Sequence, residues 1–180
     1  MATLGRRAIR ATFFVQGRWA QTYPETAKSI VAGGHLVGSH SHYHARMPLL
    51  TDAGLAEDLA DAAAAIEAAA GVSPRPWFRC PFGAGASDRR VLAAVAAAGY
   101  RHVGWHVKAD DWEPSRGAAL VATDVVDGAR AYGDGAVILL HTWPTATLDA
   151  LDPILTRLTD AGAEFCRIDE LSDIPPGVPD

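Results

Sequence analysis

Two histidines four residues apart, His40 and His44, carry the clearest chemical signal in this sequence. They follow a short apolar run, residues 36–38, and frame the pattern His-Ser-x-x-His. Neutral imidazole is a common protein ligand for zinc and related cations, and two rings at this spacing reach one cation if the backbone turns between them. Clustered histidines also occur as hydrogen-bonded turn residues, so the pair alone leaves both interpretations open.

Three further polar residues follow apolar runs later in the chain. Arg79 lies at the end of one run, Asp111 follows the next, and His141 directly follows the sequence Leu139-Leu140. Each run is short and rich in β-branched or aromatic residues, which is typical of buried strands. The four sets therefore occupy equivalent places, each at the carboxyl end of a predicted strand.

Predicted strands alternate with predicted helices along the chain. The strands are expected at residues 12–15, 36–38, 77–80, 103–107, 136–140 and 164–168. Helices are expected at residues 24–34, 51–70, 87–99, 118–132 and 147–160, with Thr51 and Gly71 placed to cap the second. This alternation predicts an α/β fold with a parallel sheet or barrel, in which ligands bind at the carboxyl ends of the strands.

Composition limits the classes of protein that fit. The chain has 180 residues, 49% of them hydrophobic, which predicts one folded domain over residues 1–180. A net charge of −5 without a basic run argues against nucleic acid as a partner. No run is long enough to span a membrane, and residues 1–7 lack the apolar core of a signal peptide. Cys80 and Cys166 are expected to be small core residues.

The chain resembles the NodB-type polysaccharide deacetylases, carbohydrate esterase family four. Residues 40–44 match the motif His-[Ser/Thr]-x-x-His, and residues 79–83 match Arg-x-Pro-[Tyr/Phe]-Gly. The Asp-Trp pair at 111–112 and the Leu-x-His element at 139–141 follow in the order of the family. The resemblance covers roughly residues 9–172 and implies a distorted (β/α) barrel.

One motif of the family has no counterpart in the sequence. Family members carry an earlier strand that ends in Thr-Phe-Asp-Asp, whose two aspartates supply the general base and the third metal ligand. We therefore expect a barrel without its N-terminal strand, through truncation or natural loss. The sheet would then be open between residues 12–15 and 164–168, which predicts a dimer joined at that edge or an aggregation-prone monomer.

The resemblance assigns roles to the remaining motif residues. It implies that His40 and His44 hold a divalent cation, expected to be zinc. His141 resembles the general acid, and Asp111 would tether it. The backbone N–H of Phe82 resembles a donor to the oxyanion.

Arg79 would normally hold the catalytic aspartate. Without that partner, we expect Arg79 to pair with Asp110 or Asp111 or to remain partly solvated. Residues expected to contact the substrate are Trp112, Pro81, Tyr43 and Leu139.

Two classes of function follow from this assignment. The first is a metal-dependent hydrolase that removes acetyl groups from an N-acetylated glycan, such as chitin oligomers or peptidoglycan, or from acetylated xylan. The second is a catalytically impaired fragment or pseudoenzyme that binds glycan or metal. A cyclic-amide hydrolase on the same scaffold is a third interpretation. The family suggests an extracellular or cell-envelope location, although the chain shows no signal peptide.

Overall fold

The computed structural model describes residues 1–173, and within them seven α-helices alternate with six short β-strands. The strands are β1 (Thr12–Val15), β2 (Leu36–Ser39), β3 (Trp77–Phe78), β4 (Arg101–His102), β5 (Val107–Lys108) and β6 (Ile138–Leu139). The helices are α1 (Ala2–Arg6), α2 (Gly17–Thr22), α3 (Pro24–Ala32), α4 (Asp52–Ala70), α5 (Arg89–Ala97), α6 (Ala118–Tyr132) and α7 (Thr145–Asp160). Short 3₁₀ turns occupy Met47–Leu49, Pro81–Gly83 and Ile168–Glu170.

The strands are parallel and form two sheets. The larger sheet has the order β1-β2-β3-β4, and β5 pairs with β6 in a second sheet. Thr12 stands opposite Leu36 in the first ladder, and Phe78 stands opposite His102 in the third. Within each sheet the strands run the same way, so their carboxyl ends lie at one edge, and these two edges together are referred to as the rim. The predicted α/β class with parallel strands is confirmed.

Helix α4 begins and ends where the sequence predicts. The Thr51 hydroxyl accepts a hydrogen bond from the Gly54 N–H, and Gly71 closes the helix with a left-handed φ of 74°. Such an N-cap stabilises a helix by about 1 kcal/mol. The apolar face of α4 packs Leu55 and Leu59 against Phe78 of β3, so the helix supports the sheet directly beneath the His-Ser-x-x-His loop.

The predicted strand 103–107 is wrong as a single element. Residues 103–106 separate β4 from β5, and the gap also separates the two sheets. The guanidinium of Arg79 donates from Nε to the Val103 carbonyl, at 3.2 Å, and from NH2 to the Gly104 carbonyl, at 2.9 Å. These acceptors are therefore engaged by a side chain, which interrupts the strand.

The predicted strand 164–168 is absent, and a 3₁₀ turn, Ile168–Glu170, ends this segment. Side chains again take the backbone donors. The Ile168 N–H donates to the Thr12 hydroxyl at 3.0 Å, and the Arg167 N–H donates to the Glu170 carboxylate at 2.7 Å. The end of the described chain thus contacts β1 through side chains instead of extending the sheet.

Candidate active site

The predicted site residues lie just beyond the carboxyl ends of the strands. His40 follows β2, Arg79 follows β3, Asp111 comes three residues after β5, and His141 comes two residues after β6. The parallel pairing places His40 and Arg79 at the carboxyl end of the larger sheet, and Asp111 and His141 at the carboxyl end of the second sheet. Burial lowers the pKa of both His40 and His44, and the charge of His141 contributes to both shifts.

The ring of His40 has a fixed orientation. Its Nδ1 lies 2.8 Å from the Arg79 carbonyl oxygen and donates to it, because a carbonyl can only accept. This bond leaves the Nε2 lone pair of His40 free for a ligand. Burial lowers the pKa of His40 to about 3, although the hydrogen bond to Arg79 opposes that shift. The imidazole is therefore neutral, which is the form that binds metal.

His44 lies beside His40 across a tight loop. The two ring centroids are 4.8 Å apart at an angle of 67°. The His44 N–H donates to the Ser41 hydroxyl at 2.8 Å, and both Ser41 and His44 have left-handed φ, of 64° and 57°. Burial, and then the charge of His141, lowers the pKa of His44. The turn needed to bring two imidazoles together is present.

A carboxylate that the sequence analysis missed holds this loop from below. Asp58 of α4 is buried, and its two oxygens accept from the N–H groups of His42 and Tyr43, at 3.0 and 3.2 Å. The signal was available in the sequence. Asp58 lies in the apolar stripe of α4, between Leu55 and Leu59, where a charged residue is unusual.

The donor set fits part of a metal site. Among residues 1–173 there is no group of three or more His, Cys, Asp or Glu side chains that could hold a metal ion. His40 and His44 therefore offer two nitrogen ligands, and the remaining positions would belong to solvent or to groups outside the described residues. Both rings are neutral and close together, so they fit the role that the resemblance implies for them.

Asp111 and His141 form a tightly bonded pair. One oxygen of Asp111 lies 2.7 Å from His141 Nδ1, and the other accepts from the His141 backbone N–H, also at 2.7 Å. Thr147 at the start of α7 donates its hydroxyl to the same carboxylate, a contact that sequence reasoning missed. The contact expected between Asp111 and His141 is present, and it leaves Nε2 of His141 as the ring nitrogen facing away from the carboxylate.

The Asp111 carboxylate stays ionised despite its burial. Burial alone would raise its pKa, but the hydrogen bonds from His141 and Thr147 outweigh that effect, and the pKa lies below its ordinary value. The carboxylate holds Nδ1 of His141 and orients the ring, so Nε2 is the ring nitrogen left to contact a substrate.

Arg79 corrects an expectation from the sequence. It pairs with neither Asp110, which lies 3.4 Å from Lys108, nor Asp111, and it is buried rather than solvated. Its guanidinium instead lies 4.3 Å from the ring centroid of Phe14 and donates to backbone carbonyls. Burial lowers the pKa of Arg79 to about 9, so the group remains cationic at neutral pH.

The segment after Arg79 has an unusual backbone. Phe82 has a left-handed φ of 59°, and Gly83 follows with a φ of 69°. The ring of Phe82 is exposed and lies 4.5 Å from the ring of His44, whereas Pro81 is buried. Pro81 restricts the backbone at this turn, and its contact with substrate stays a prediction.

The other residues expected to contact substrate differ in exposure. Trp112 is 47% exposed and Tyr43 is 60% exposed, so both present aromatic surface near the rim. Leu139 is half-buried and packs against the apolar cluster inside the sheet. Trp143 is also exposed, with its ring centroid 6.3 Å from that of His141.

Three other side chains lie outside the site. Asp169 and Glu170 form ion pairs with Arg167, and Glu170 also pairs with Arg10. Cys166 is exposed, so its expected place in the core is wrong, while Cys80 is buried as expected. A surface groove of about 570 Å³ is lined by Gln21, Pro24, Asp61, four alanines of α4 and His42, which belongs to the His40–His44 loop.

A family model described as polysaccharide deacetylase matches residues 1–103, which is more than half of the chain. The chain belongs to the polysaccharide deacetylase family. The chain is 33% identical over 169 residues to the peptidoglycan-N-acetylglucosamine deacetylase PgdA of Listeria monocytogenes, covering 94% of the chain and 34% of that relative. The chain spans between 34% and 62% of the length of the first curated relatives that it matches.

Solved structures of the family share the fold of this chain. A family 4 carbohydrate esterase from Streptomyces lividans, in complex with acetate, superposes with a TM-score of 0.83 at 30% identity, over 93% of this chain and 83% of that one. A CE4 family pseudoenzyme from Bacillus anthracis superposes with a TM-score of 0.86 at 28% identity, over 96% of this chain and 58% of that one. The family fold expected from the sequence is confirmed. Within the described residues, no helix has the length and apolarity to cross a bilayer.

Proposed function

We propose that this chain carries most of the active site of a metal-dependent deacetylase that hydrolyses the acetamide of an N-acetylated glycan. The observation that carries the proposal is the Asp111–His141 pair, bonded at 2.7 Å and close to two neutral imidazoles, His40 and His44. Amide hydrolysis needs polarisation of the carbonyl and a proton for the leaving amine. The two halves of the rim provide groups of both kinds.

His40 and His44 are the residues that would hold the divalent cation, which we propose to be zinc. A bound divalent cation supplies Lewis-acid polarisation and lowers the pKa of water. The hydrogen bond from His40 to the Arg79 carbonyl fixes which nitrogen faces the cation. Because the pKa of both imidazoles is lowered, protons do not compete with the cation for their nitrogens at neutral pH.

His141 delivers a proton to the leaving nitrogen. Asp111 holds Nδ1 of His141, which orients the ring and keeps Nε2 in its protonated form toward the rim. The Thr147 hydroxyl fixes the carboxylate in turn. Loss of the carboxylate would therefore both misorient His141 and weaken its ability to act as an acid.

Phe82 is positioned to present a backbone donor. Its left-handed φ departs from regular 3₁₀ geometry. The buried Pro81 restricts the backbone before this turn, and Gly83 adopts the positive φ that follows it. We propose that the Phe82 N–H stabilises the developing oxyanion, as the family resemblance implies.

For the substrate, we propose a peptidoglycan-type N-acetylated glycan. One support is the similarity to PgdA, a peptidoglycan-N-acetylglucosamine deacetylase. The other is the exposed aromatic rings of Trp112 and Tyr43, on which sugar rings can stack. Such a substrate places the whole protein outside the cytoplasm or at the cell envelope.

A second function has its own supporting observation. Among residues 1–173 only two clustered metal ligands are found, and one similar solved structure is a family pseudoenzyme. A non-catalytic glycan- or metal-binding module would fit both facts. The presence of Arg79 and of the bonded Asp111–His141 pair in the same chain supports the catalytic proposal instead.

The deciding experiment measures acetate release from N-acetylglucosamine oligomers and peptidoglycan fragments, with zinc present. We expect slow release by the wild type and a further loss of at least about 10²-fold in His141→Ala, the scale of general acid catalysis. His106→Ala is the control, since that histidine stacks on Tyr132 away from the rim. Binding of glycan without acetate release would support the module, and equal rates in wild type and His141→Ala would overturn the assigned acid.

A further inference from the structure

We propose that Asp58 is a positioning residue that shapes the His40–His44 loop for cation binding. This inference rests on the proposed function, because it assumes that the two histidines hold the metal. Asp58 belongs to α4 and not to any motif of the rim. Its carboxylate is nevertheless buried against the loop, with 4% of the residue exposed, and contacts the loop backbone directly.

The contacts define the shape of the loop. One oxygen of Asp58 accepts from the His42 N–H at 3.0 Å, and the other accepts from the Tyr43 N–H at 3.2 Å. Two successive peptide groups between the histidines are thus fixed to one rigid helix. The distance between the flanking imidazoles, 4.8 Å between ring centroids, depends on this backbone.

The loop needs such support because it is strained. Ser41 and His44 hold left-handed φ values, a backbone conformation that is unfavourable for residues other than glycine. Inside the loop, the Ser41 hydroxyl accepts from the His44 N–H. Asp58 adds two charge-assisted hydrogen bonds from outside, and these are stronger than neutral ones.

Local stability gives no reason for an aspartate at this position. The ion pairs found in the described part of the chain do not include Asp58, so its charge is buried with only backbone donors for compensation. Burying a carboxylate is costly, and aspartate has a lower helix propensity than the alanines that fill the rest of α4. Its benefit lies in the loop that it holds.

The chemistry of metal sites gives the size of the effect. Groups that orient metal ligands without touching the metal change affinity by about 10–100-fold when removed. Asp58→Asn keeps the shape of the side chain but replaces one acceptor with an NH₂ group, which opposes a backbone N–H. We therefore expect Asp58→Asn to raise the Kd for zinc at least about tenfold.

The experiment compares wild type, Asp58→Asn, Asp58→Ala and Glu57→Gln. Glu57 is the matched control, since it is the exposed neighbour on α4 and loses the same charge. Zinc Kd is measured by competition with a chelator, and the absorption bands of the cobalt(II)-loaded protein report coordination geometry. Thermal unfolding of each metal-free variant shows which ones are folded.

We expect both Asp58 variants to weaken zinc binding and to alter the cobalt(II) bands, while Glu57→Gln matches the wild type. An Asp58→Asn protein that is less stable but keeps the wild-type Kd and spectrum would show a purely structural role and overturn the inference. If Asp58→Ala does not fold, the isosteric Asp58→Asn decides the question. Failure of the wild type itself to bind zinc would instead overturn the proposed metal assignment.

Discussion

At the scale of single residues, backbone strain is concentrated on the functional rim. Among residues 1–173, five residues other than glycine have left-handed φ, and four of them lie in loops that follow strands β2, β3 and β5: Ser41, His44, Phe82 and Asp110. Each costs about 1–3 kcal/mol, so the surrounding contacts must fix these loops. Hydrogen bonds to buried acceptors, such as the one from the His44 N–H to the Ser41 hydroxyl, do this at the histidine loop.

Replacing Asp111 by Asn should reduce stability in a pH-dependent way. The folded pKa of Asp111 is below its ordinary value, so its contribution is complete above about pH 4 and is lost as the pH falls through the folded pKa. Charge-assisted hydrogen bonds of this kind are worth about 1.5–3 kcal/mol. We expect Asp111→Asn to lower the free energy of unfolding by that amount at pH 7, with the gap narrowing below pH 4, in urea titrations.

The matched control for this measurement is Asp110→Asn. Asp110 loses the same charge, but its partner Lys108 is exposed and 3.4 Å away. Exposed pairs contribute about 0–1 kcal/mol, and asparagine tolerates the left-handed φ of position 110. A stability difference for Asp111→Asn that is the same at pH 3 and pH 7 would contradict the ionic origin that we assign.

At the scale of elements, side chains of the strands on either side pack closely over Gly38 in the larger sheet. A methyl group added to Gly38 of β2 would lie 2.8 Å from the Phe14 ring and 3.1 Å from Cβ of Trp77. Both neighbours belong to adjoining strands and pack in the interior. The glycine therefore lets two large side chains cover one strand.

Gly38→Ala should destabilise the protein by about 1–3 kcal/mol, because overpacking displaces neighbouring side chains. Gly5→Ala is the control, since nothing lies within 4 Å of its added methyl group and alanine favours helix α1. Chemical denaturation of the two variants measures the difference. A Gly38→Ala protein as stable as the wild type would show that Phe14 has room to move.

The elements also show which parts of the fold the sequence predicts. Helix α4 follows from Thr51, Gly71 and its apolar stripe, which are local signals. The strand predictions at 103–107 and 164–168 fail because side chains take the backbone partners. Glu170 is local to the second segment, but Arg79 and Thr12 are distant in sequence, and no local pattern contains those contacts. The rim histidines were predicted from motif spacing, whereas Asp58 and Thr147 act through contacts that only the folded chain creates.

At the scale of the whole molecule, side chains link the start of the described chain to its end. Arg7 pairs with Asp152 of α7 at 2.8 Å, and Arg10 pairs with Glu170 at 2.8 Å. Strand β1 lies at the edge of the four-stranded sheet, where its backbone pairs with β2 on one side. Exposed strand edges favour pairing with another chain.

We predict that the 180-residue chain forms a concentration-dependent dimer through the β1 edge, or aggregates as a marginally stable monomer. Sedimentation velocity over a hundredfold range of protein concentration tests this, with thermal unfolding measured at the same concentrations. A single monomer species at every concentration, with a high Tm, would contradict the prediction.

The 180-residue chain should also be a weak catalyst. Among the described residues, no carboxylate lies with His40 and His44 in a group that could hold a metal ion. A general base contributes about 10²–10⁴-fold to rate. A version that carries the Thr-Phe-Asp-Asp strand of the family ahead of β1 should release acetate at least about 10²-fold faster, and His141→Ala should abolish the gain. Equal rates for the two versions, unchanged by Asp169→Asn with Glu170→Gln, would show that another group is the base.

Arg79 also has a consequence for the order of folding. Its carbonyl orients His40, 39 residues earlier, while its guanidinium binds carbonyls 24 and 25 residues later. The ring of His40 therefore reaches its binding orientation only after three separate stretches of chain have come together. We expect contacts of this sequence separation to form after the folding transition state, in which case a cation would slow unfolding without accelerating folding. The metal would stabilise the folded sheet without helping it to form.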